Sequence, residues 1–250
     1  MGGGLGLTAG ASHRVVTESS RFAMPEITIG LYPDVGGSFF LNRMPGRTGL
    51  FLGLTGANIN AADALFVGLA DRFVTHDKRD AVMDDLLSVS WNGSAEHVVS
   101  SVLRQHERHS QDHLPESNVR KHYDLIQQLT DADDVEGVVD NITSLSTDDK
   151  WLSRTSGALA AGSPTAMHLI MRQLKYTRQM SLAEVFQAEL DLSVQAAYKG
   201  EFAEGIRALL IDKDREPKWH AATLADVEDE WIDSFFQSPW EGEHPLADLY

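Results

Sequence analysis

The sequence predicts an α/β protein whose first 77 residues mix short strands, turns and helices and whose remainder is mainly helical. Three observations carry this. Glycine clusters and β-branched residues punctuate residues 1–77, whereas apolar residues recur at helical spacing after residue 78 and strand signals nearly vanish. Charge divides at the same place: residues 1–77 hold five Arg and six Asp or Glu, net −1, leaving −15 of the total −16 for residues 78–250. The third is the absence of any internal repeat or low-complexity tract, so 250 residues suffice for one large or two modest globular domains.

In order along the chain, residues 2–8 read as a glycine turn entering a helix, and Arg14 to Glu18 as a short strand. Strand and turn material is expected to alternate from Phe22 to Gly37. A short helix follows over Ser38 to Arg43, then a second apolar stretch over Leu50 to Leu54. Asn60 is a helix cap before Ala61 to Leu69, and Asp71 to Val74 is strand-like. Helical patterns then cover Ala81 to Val89, Ala95 to Arg108, Val119 to Leu129, Val135 to Leu145 and Lys150 to Ala161.

Ser163-Pro164 is a strong helix start, because Ser accepts a backbone N–H and Pro is pre-set for the first helical position. Ser181 to Glu184 is a capping box whose helix should run to Gly200. The tail, with Pro239 and Pro245, has little periodicity and is expected to be loosely held. The expected segments are therefore 1–77, carrying the chemistry; 78–162, a helical cover or assembly surface that leaves a homo-oligomer open; and 163–250, a helical region with its tail.

Composition excludes several classes of function. With no cysteine there is no disulfide framework and no thiolate ligand or nucleophile, so a reducing compartment, by default the cytoplasm, is the expectation. No run reaches the ~18 apolar residues of a membrane span, and the apolar start lacks the basic flank of a signal peptide. So acidic a balance argues against nucleic-acid and anionic-membrane partners, both of which attract Lys and Arg. Asn92-Gly93-Ser94 and Asn141-Ile142-Thr143 match the glycosylation pattern but read as a turn and a polar helix edge.

The chemistry concentrates near the amino terminus. Gly2-Gly3-Gly4-Leu5-Gly6 can free backbone N–H groups at a helix start, where a developing oxyanion would be stabilised; removing one such donor typically costs ~3–4 kcal/mol. The same glycines could equally serve close packing. Glu26 and Asp34 follow, eight residues apart. Glu26 precedes an apolar triplet, which suits the edge of a buried sheet where its pKa would rise, and Asp34 sits between Pro33 and Gly36-Gly37 in a turn that can swing a short acid into a cleft. Two solvated loop acids is the competing reading.

His106, His109 and His113 fall at helical spacing, but interleaved Arg104, Gln105 and Arg108 mark a solvated face rather than a metal site. Arg207 is expected to pair with Asp212 or Asp214 rather than with a phosphate, and Trp219 and Trp231 to pack.

The glycine run, Phe22-Ala23-Met24-Pro25-Glu26 and Gly30-Leu31-Tyr32-Pro33-Asp34-Val35-Gly36-Gly37 together resemble the crotonase (enoyl-CoA hydratase/isomerase) superfamily. More narrowly, with Phe202 to Asp214 and Pro217-Lys218-Trp219, they are similar to its 3-hydroxyisobutyryl-CoA hydrolase branch. The resemblance implies a partial crotonase-like spiral core with a mainly helical C-terminal region. It implies an acyl-CoA substrate, with CoA entering as part of that substrate and no separate cofactor or metal. Gly3 would supply an oxyanion N–H, Glu26 would be the nucleophile or general base, and Asp34 would bind the acyl hydroxyl or assist proton transfer. Hydratases of the superfamily usually carry a second glutamate right after the glycine run. Gly6 stands there in this sequence, which favours hydrolysis over hydration.

The resemblance also implies roughly a hundred further residues ahead of the glycine turn, in keeping with ordinary domain sizes. Those residues would supply the second oxyanion donor and most of the CoA surface. The expectation is therefore a fragment or truncated frame with little activity of its own; an interaction remnant, or a subunit needing a complementing partner, is the non-catalytic alternative.

Overall fold

The computed structural model describes residues 1–249. In chain order its elements are α1 (Gly3–Ala9), β1 (Val15–Val16), a 3-10 turn (Glu26–Ile29), α2 (Gly37–Leu41), α3 (Thr48–Thr55), α4 (Ala61–Phe66), β2 (Arg72–Phe73), α5 (Arg79–Ser88) and α6 (Ala95–Arg108). They continue with α7 (Asn118–Lys121), α8 (Tyr123–Leu129), α9 (Val135–Thr143), α10 (Lys150–Ala160), α11 (Pro164–Thr177), α12 (Leu182–Lys199), α13 (Glu201–Ile206), a π turn (Arg207–Ile211) and α14 (Asp229–Asp233). The chain divides into two compact units that interleave in sequence: one holds Met1–Gly6, Ala23–Ala57 and everything from Asp124, the other Leu7–Phe22 and Asn58–Tyr123.

In the second unit β1 and β2 pair in parallel, Val15 opposite Arg72 and Val16 opposite Phe73. The pair is locked beside its start by Arg14, whose guanidinium meets both oxygens of Asp71 at 2.6 and 2.9 Å. That forked contact holds the Asp71 carboxyl below its usual range. Asn60 and Asp63 form a reciprocal cap on α4, and the buried Asp63 carboxylate also accepts from Ser117 Oγ at 2.7 Å and Val119 N at 2.8 Å. Asp63 thus fixes the start of α7. The single helix expected over 119–129 is two, broken at His122, where the chain passes from one unit to the other. His106 meets Asp85 at 2.8 Å, an ordinary side-chain pair.

The first unit is built on α3, buried along nearly its whole length, with α11 supplying Leu169 and Ile170 to the same core. The capping signals are realised: Ser163 Oγ accepts from Ala166 N at 3.1 Å, and Ser181 and Glu184 close a reciprocal box on α12, which ends at left-handed Gly200. The tail is not loosely held. Phe235 is fully buried and Ile232 nearly so, Trp231 stacks on His220 at 3.9 Å, Trp240 Nε1 donates to Asp191 at 2.5 Å, and Gln187 donates to Leu246 O at 2.8 Å. Aromatic burial does there what periodicity does elsewhere. Arg207 meets Glu204, Asp212 and Asp214 together, holding the Glu204 carboxyl down to about 2.

Candidate active site

Glu26 does not lie at a sheet edge. Ile27, Thr28 and Ile29 read as strand because they are β-branched, but Gly30 at φ 66° closes them into a 3-10 turn, with the Gly30 and Leu31 N–H groups donating to Glu26 O. Tertiary contacts hold this turn on three sides. A Cβ at Gly30 would lie 2.6 Å from Glu201 O, one at Gly205 2.3 Å from the Ile29 carbonyl, and one at Gly162 2.7 Å from Ile27 Cγ1. Only glycine permits such approaches.

The Glu26 side chain is 5% exposed, and its Oε2 is buried without a hydrogen-bond partner. Burial drives its pKa up to about 7; the charge of Asp34 pushes the same way, while a backbone hydrogen bond and the amino-terminal charge oppose it. The expected rise is therefore present, produced by burial in a turn rather than in a sheet.

Asp34 stands half-buried on a tight turn, where Gly37 N donates to Asp34 O at 2.7 Å and both Val35 (φ 55°) and Gly36 (φ 80°) are left-handed. Burial raises its pKa, against a backbone hydrogen bond that lowers it. Left-handed backbone at a β-branched residue is costly and persists only where surroundings impose it.

Gly3 opens α1, so its N–H lies outside the helical ladder. A Cβ at Gly3 or Gly4 would meet nothing within 4 Å, so close packing within this chain does not explain glycine there. Gly6 differs: a Cβ would meet Val35 O at 2.5 Å and Val35 Cβ at 2.9 Å. The packing explanation holds at Gly6 alone, and it seats α1 against the turn that carries Asp34. Gly6 therefore lies against the Asp34 turn, and the charge of Asp34 acts on Glu26. Among the described residues no cluster of three or more His, Cys, Asp or Glu has a metal-binding arrangement.

One carboxylate beside this region was not singled out by sequence reasoning. Glu189 of α12 is 3% exposed and takes hydrogen bonds from Gly36 N, Ser38 N and Ser38 Oγ; burial raises its pKa to about 6 against those hydrogen bonds, and the charge of Asp34 adds to the rise. A signal was available: Glu189 shares a helical stripe with Val185, Leu192 and Ala196, all buried, where a charged residue is out of place.

Comparison with known proteins follows the same lines. The sequence profile of the family described as Enoyl-CoA hydratase/isomerase matches residues 1–236. The chain is 39% identical over 242 residues to "3-hydroxyisobutyryl-CoA hydrolase, mitochondrial" of Danio rerio, covering 95% of this chain and 62% of that protein. It is 37% identical over 239 residues to the Homo sapiens protein of the same name, with 95% and 61% covered. Among solved structures, a carnitinyl-CoA dehydratase from Mycobacterium thermoresistibile superposes with TM-score 0.84 at 31% identity, covering 98% of this chain and 67% of that one. An enoyl-CoA hydratase from Rhodobacter sphaeroides gives 0.79 at 32% identity, covering 96% and 66%. The chain spans about three fifths of the length of the curated relatives it matches. With its glycine-run helix, its Glu26 and Asp34 turns and a profile match over nearly its whole length, the chain belongs to the enoyl-CoA hydratase/isomerase family, with the crotonase fold.

Proposed function

We propose that the protein hydrolyses a short-chain 3-hydroxyacyl-CoA thioester, namely 3-hydroxyisobutyryl-CoA, giving 3-hydroxyisobutyrate and CoA as in valine breakdown. The observation that carries this reading is the buried Glu26 carboxyl, with a pKa of about 7, beside Asp34. A carboxyl of that pKa is poised to take a proton from water, or to attack the thioester carbon, near neutral pH. Gly3 N–H, at the positive end of α1, supplies one donor to the oxyanion that forms as the carbonyl is attacked. If water attacks, the C–S bond breaks to give the acid and the CoA thiolate takes the proton that Glu26 removed from water; if Glu26 attacks, the C–S bond breaks to an acyl-Glu26 anhydride, whose hydrolysis by water gives the free acid, restores Glu26 and supplies the thiolate's proton. Asp34 accepts a hydrogen bond from the 3-hydroxyl and orients the acyl chain. CoA is substrate, and no other cofactor takes part.

Hydration of an enoyl-CoA is the second reading, since both solved neighbours carry dehydratase or hydratase names. Gly6 weighs against it: no second carboxylate stands after the glycine run, and Val35 leaves no space for one. Purified protein is assayed for free thiol released from 3-hydroxyisobutyryl-CoA and, separately, for loss of the enoyl chromophore of crotonyl-CoA. Thiol release supports hydrolysis, whereas enoyl conversion without it would overturn that assignment. A cytoplasmic site of action rests on the cysteine-free composition, and fractionation tests it.

A further inference from the structure

We propose that Glu189 is the positioning residue of Asp34: from α12 it grips both ends of the turn that presents this acid. The role rests on the reading of Asp34 as a site residue. The turn from Tyr32 to Ser38 contains two successive left-handed residues, Val35 and Gly36, and needs an external hold. Glu189 provides it with both of its acceptor groups. Its carboxylate accepts from Gly36 N at 2.7 Å through Oε2, and from Ser38 N at 3.0 Å and Ser38 Oγ at 2.7 Å through Oε1. Its main-chain carbonyl accepts from Tyr32 OH at 2.8 Å, at the turn's other end.

Every other group facing the carboxylate fits an acceptor role. From α11, Gln173 Nε2 lies 3.4 Å from Oε1 and 3.0 Å from Pro33 O, bracing the turn from a second helix. Among the described residues no cation pairs with Glu189, and the charge of Asp34 acts on it repulsively. A carboxylate at 3% exposure without a cation is expensive unless its lone pairs are filled by oriented donors. Here the shortest donors are two backbone amides and a hydroxyl of the turn that follows Asp34, so the cost of burying Glu189 is offset mainly while the turn keeps its shape. A leucine on this stripe would leave the Gly36 and Ser38 donors without their acceptor. The acid instead dictates where residues 34–38 run.

The test is Glu189→Gln, which keeps volume but turns an amide NH2 toward an N–H donor, read by NMR. The expected result is a folded chain in which Gly36 and Ser38 amides exchange at least about tenfold faster, as loss of a charge-assisted hydrogen bond implies. Leu103 amide exchange in α6 stays as it was, so the change is confined to the turn. A folded Glu189→Gln chain with unchanged Gly36 and Ser38 exchange overturns the proposal. Should that variant not fold, Asp34→Asn decides: the Glu189 titration must fall toward the ordinary carboxyl range, and an unmoved midpoint overturns the assignment. None of these readouts needs turnover, so absence of thiol release would strike the proposed function without touching this one.

Discussion

A Cβ placed on Gly6 would lie 2.5 Å from the carbonyl oxygen of Val35. The helix that opens with the glycine run and the turn that carries Asp34 are in backbone contact, and the contact leaves no volume for a side chain. Family hydratases place a glutamate after the glycine run, so this packing and the missing second acid are one fact seen twice.

Gly6→Ala should therefore cost about 1–3 kcal/mol through overpacking, and Gly6→Glu at least as much. Urea unfolding measures both. Gly6→Glu should also show no gain of enoyl-CoA hydration; a variant that folds normally and hydrates crotonyl-CoA would show that the Val35 turn yields easily.

For Glu26→Gln the expected outcome is opposite for stability and for chemistry. The folded chain holds the Glu26 proton more tightly than the unfolded chain, so Glu26 subtracts stability as pH rises from the unfolded value of 4.5 to about 7. The amide variant should then be more stable than the parent by on the order of 2–3 kcal/mol at about pH 8, with the difference shrinking toward zero below about pH 4.5. In the intact enzyme, thioester hydrolysis should be lost while CoA-ester binding remains. A stability gain independent of pH, or near-normal thiol release, would remove Glu26 from the role given to it.

Asp34→Asn should weaken hydrolysis less than Glu26→Gln, and its defect should depend on the acyl hydroxyl. Comparing 3-hydroxyisobutyryl-CoA with isobutyryl-CoA reads this directly. Equal losses on both esters would mean that Asp34 does not contact the hydroxyl.

Two glycine substitutions separate close approach from mere helix propensity. Gly205→Ala drives a methyl group within 2.4 Å of the Ile29 backbone under Glu26, whereas Gly157, exposed on α10, has nothing within 4 Å. Thermal melts should show Gly205→Ala destabilised by about 1–3 kcal/mol. Gly157→Ala should be stabilised by roughly 0.5–1 kcal/mol from lost chain entropy. Similar melts for the two would refute the clamp on the 3-10 turn.

What could be read in advance followed local chemistry. Helices α6, α11 and α12 were legible because apolar spacing and caps such as Ser163 and Ser181 are written within a few residues of each boundary. Glu26 and Asp34 were legible as carboxylates in glycine- and proline-marked turns. Their surroundings were not. Ile27 to Ile29 look like strand until Gly205 of α13 and Gly162 of the α10–α11 turn are known to press on them, and the tail looks slack until Phe235 is seen in the core. Glu189 escaped notice because its partners, Gly36 and Ser38, lie 153 and 151 residues away, although its place on an apolar stripe was visible.

That separation bears on how the protein comes into being. During synthesis the acid-bearing turn emerges early, yet the carboxylate that grips it belongs to a helix translated long afterwards, and contacts so remote in sequence form late. Until then Val35 has no reason to hold its unfavourable backbone. A ribosome that stalls before α12 would release a chain that carries Gly3, Glu26 and Asp34 without the helix that grips the Asp34 turn.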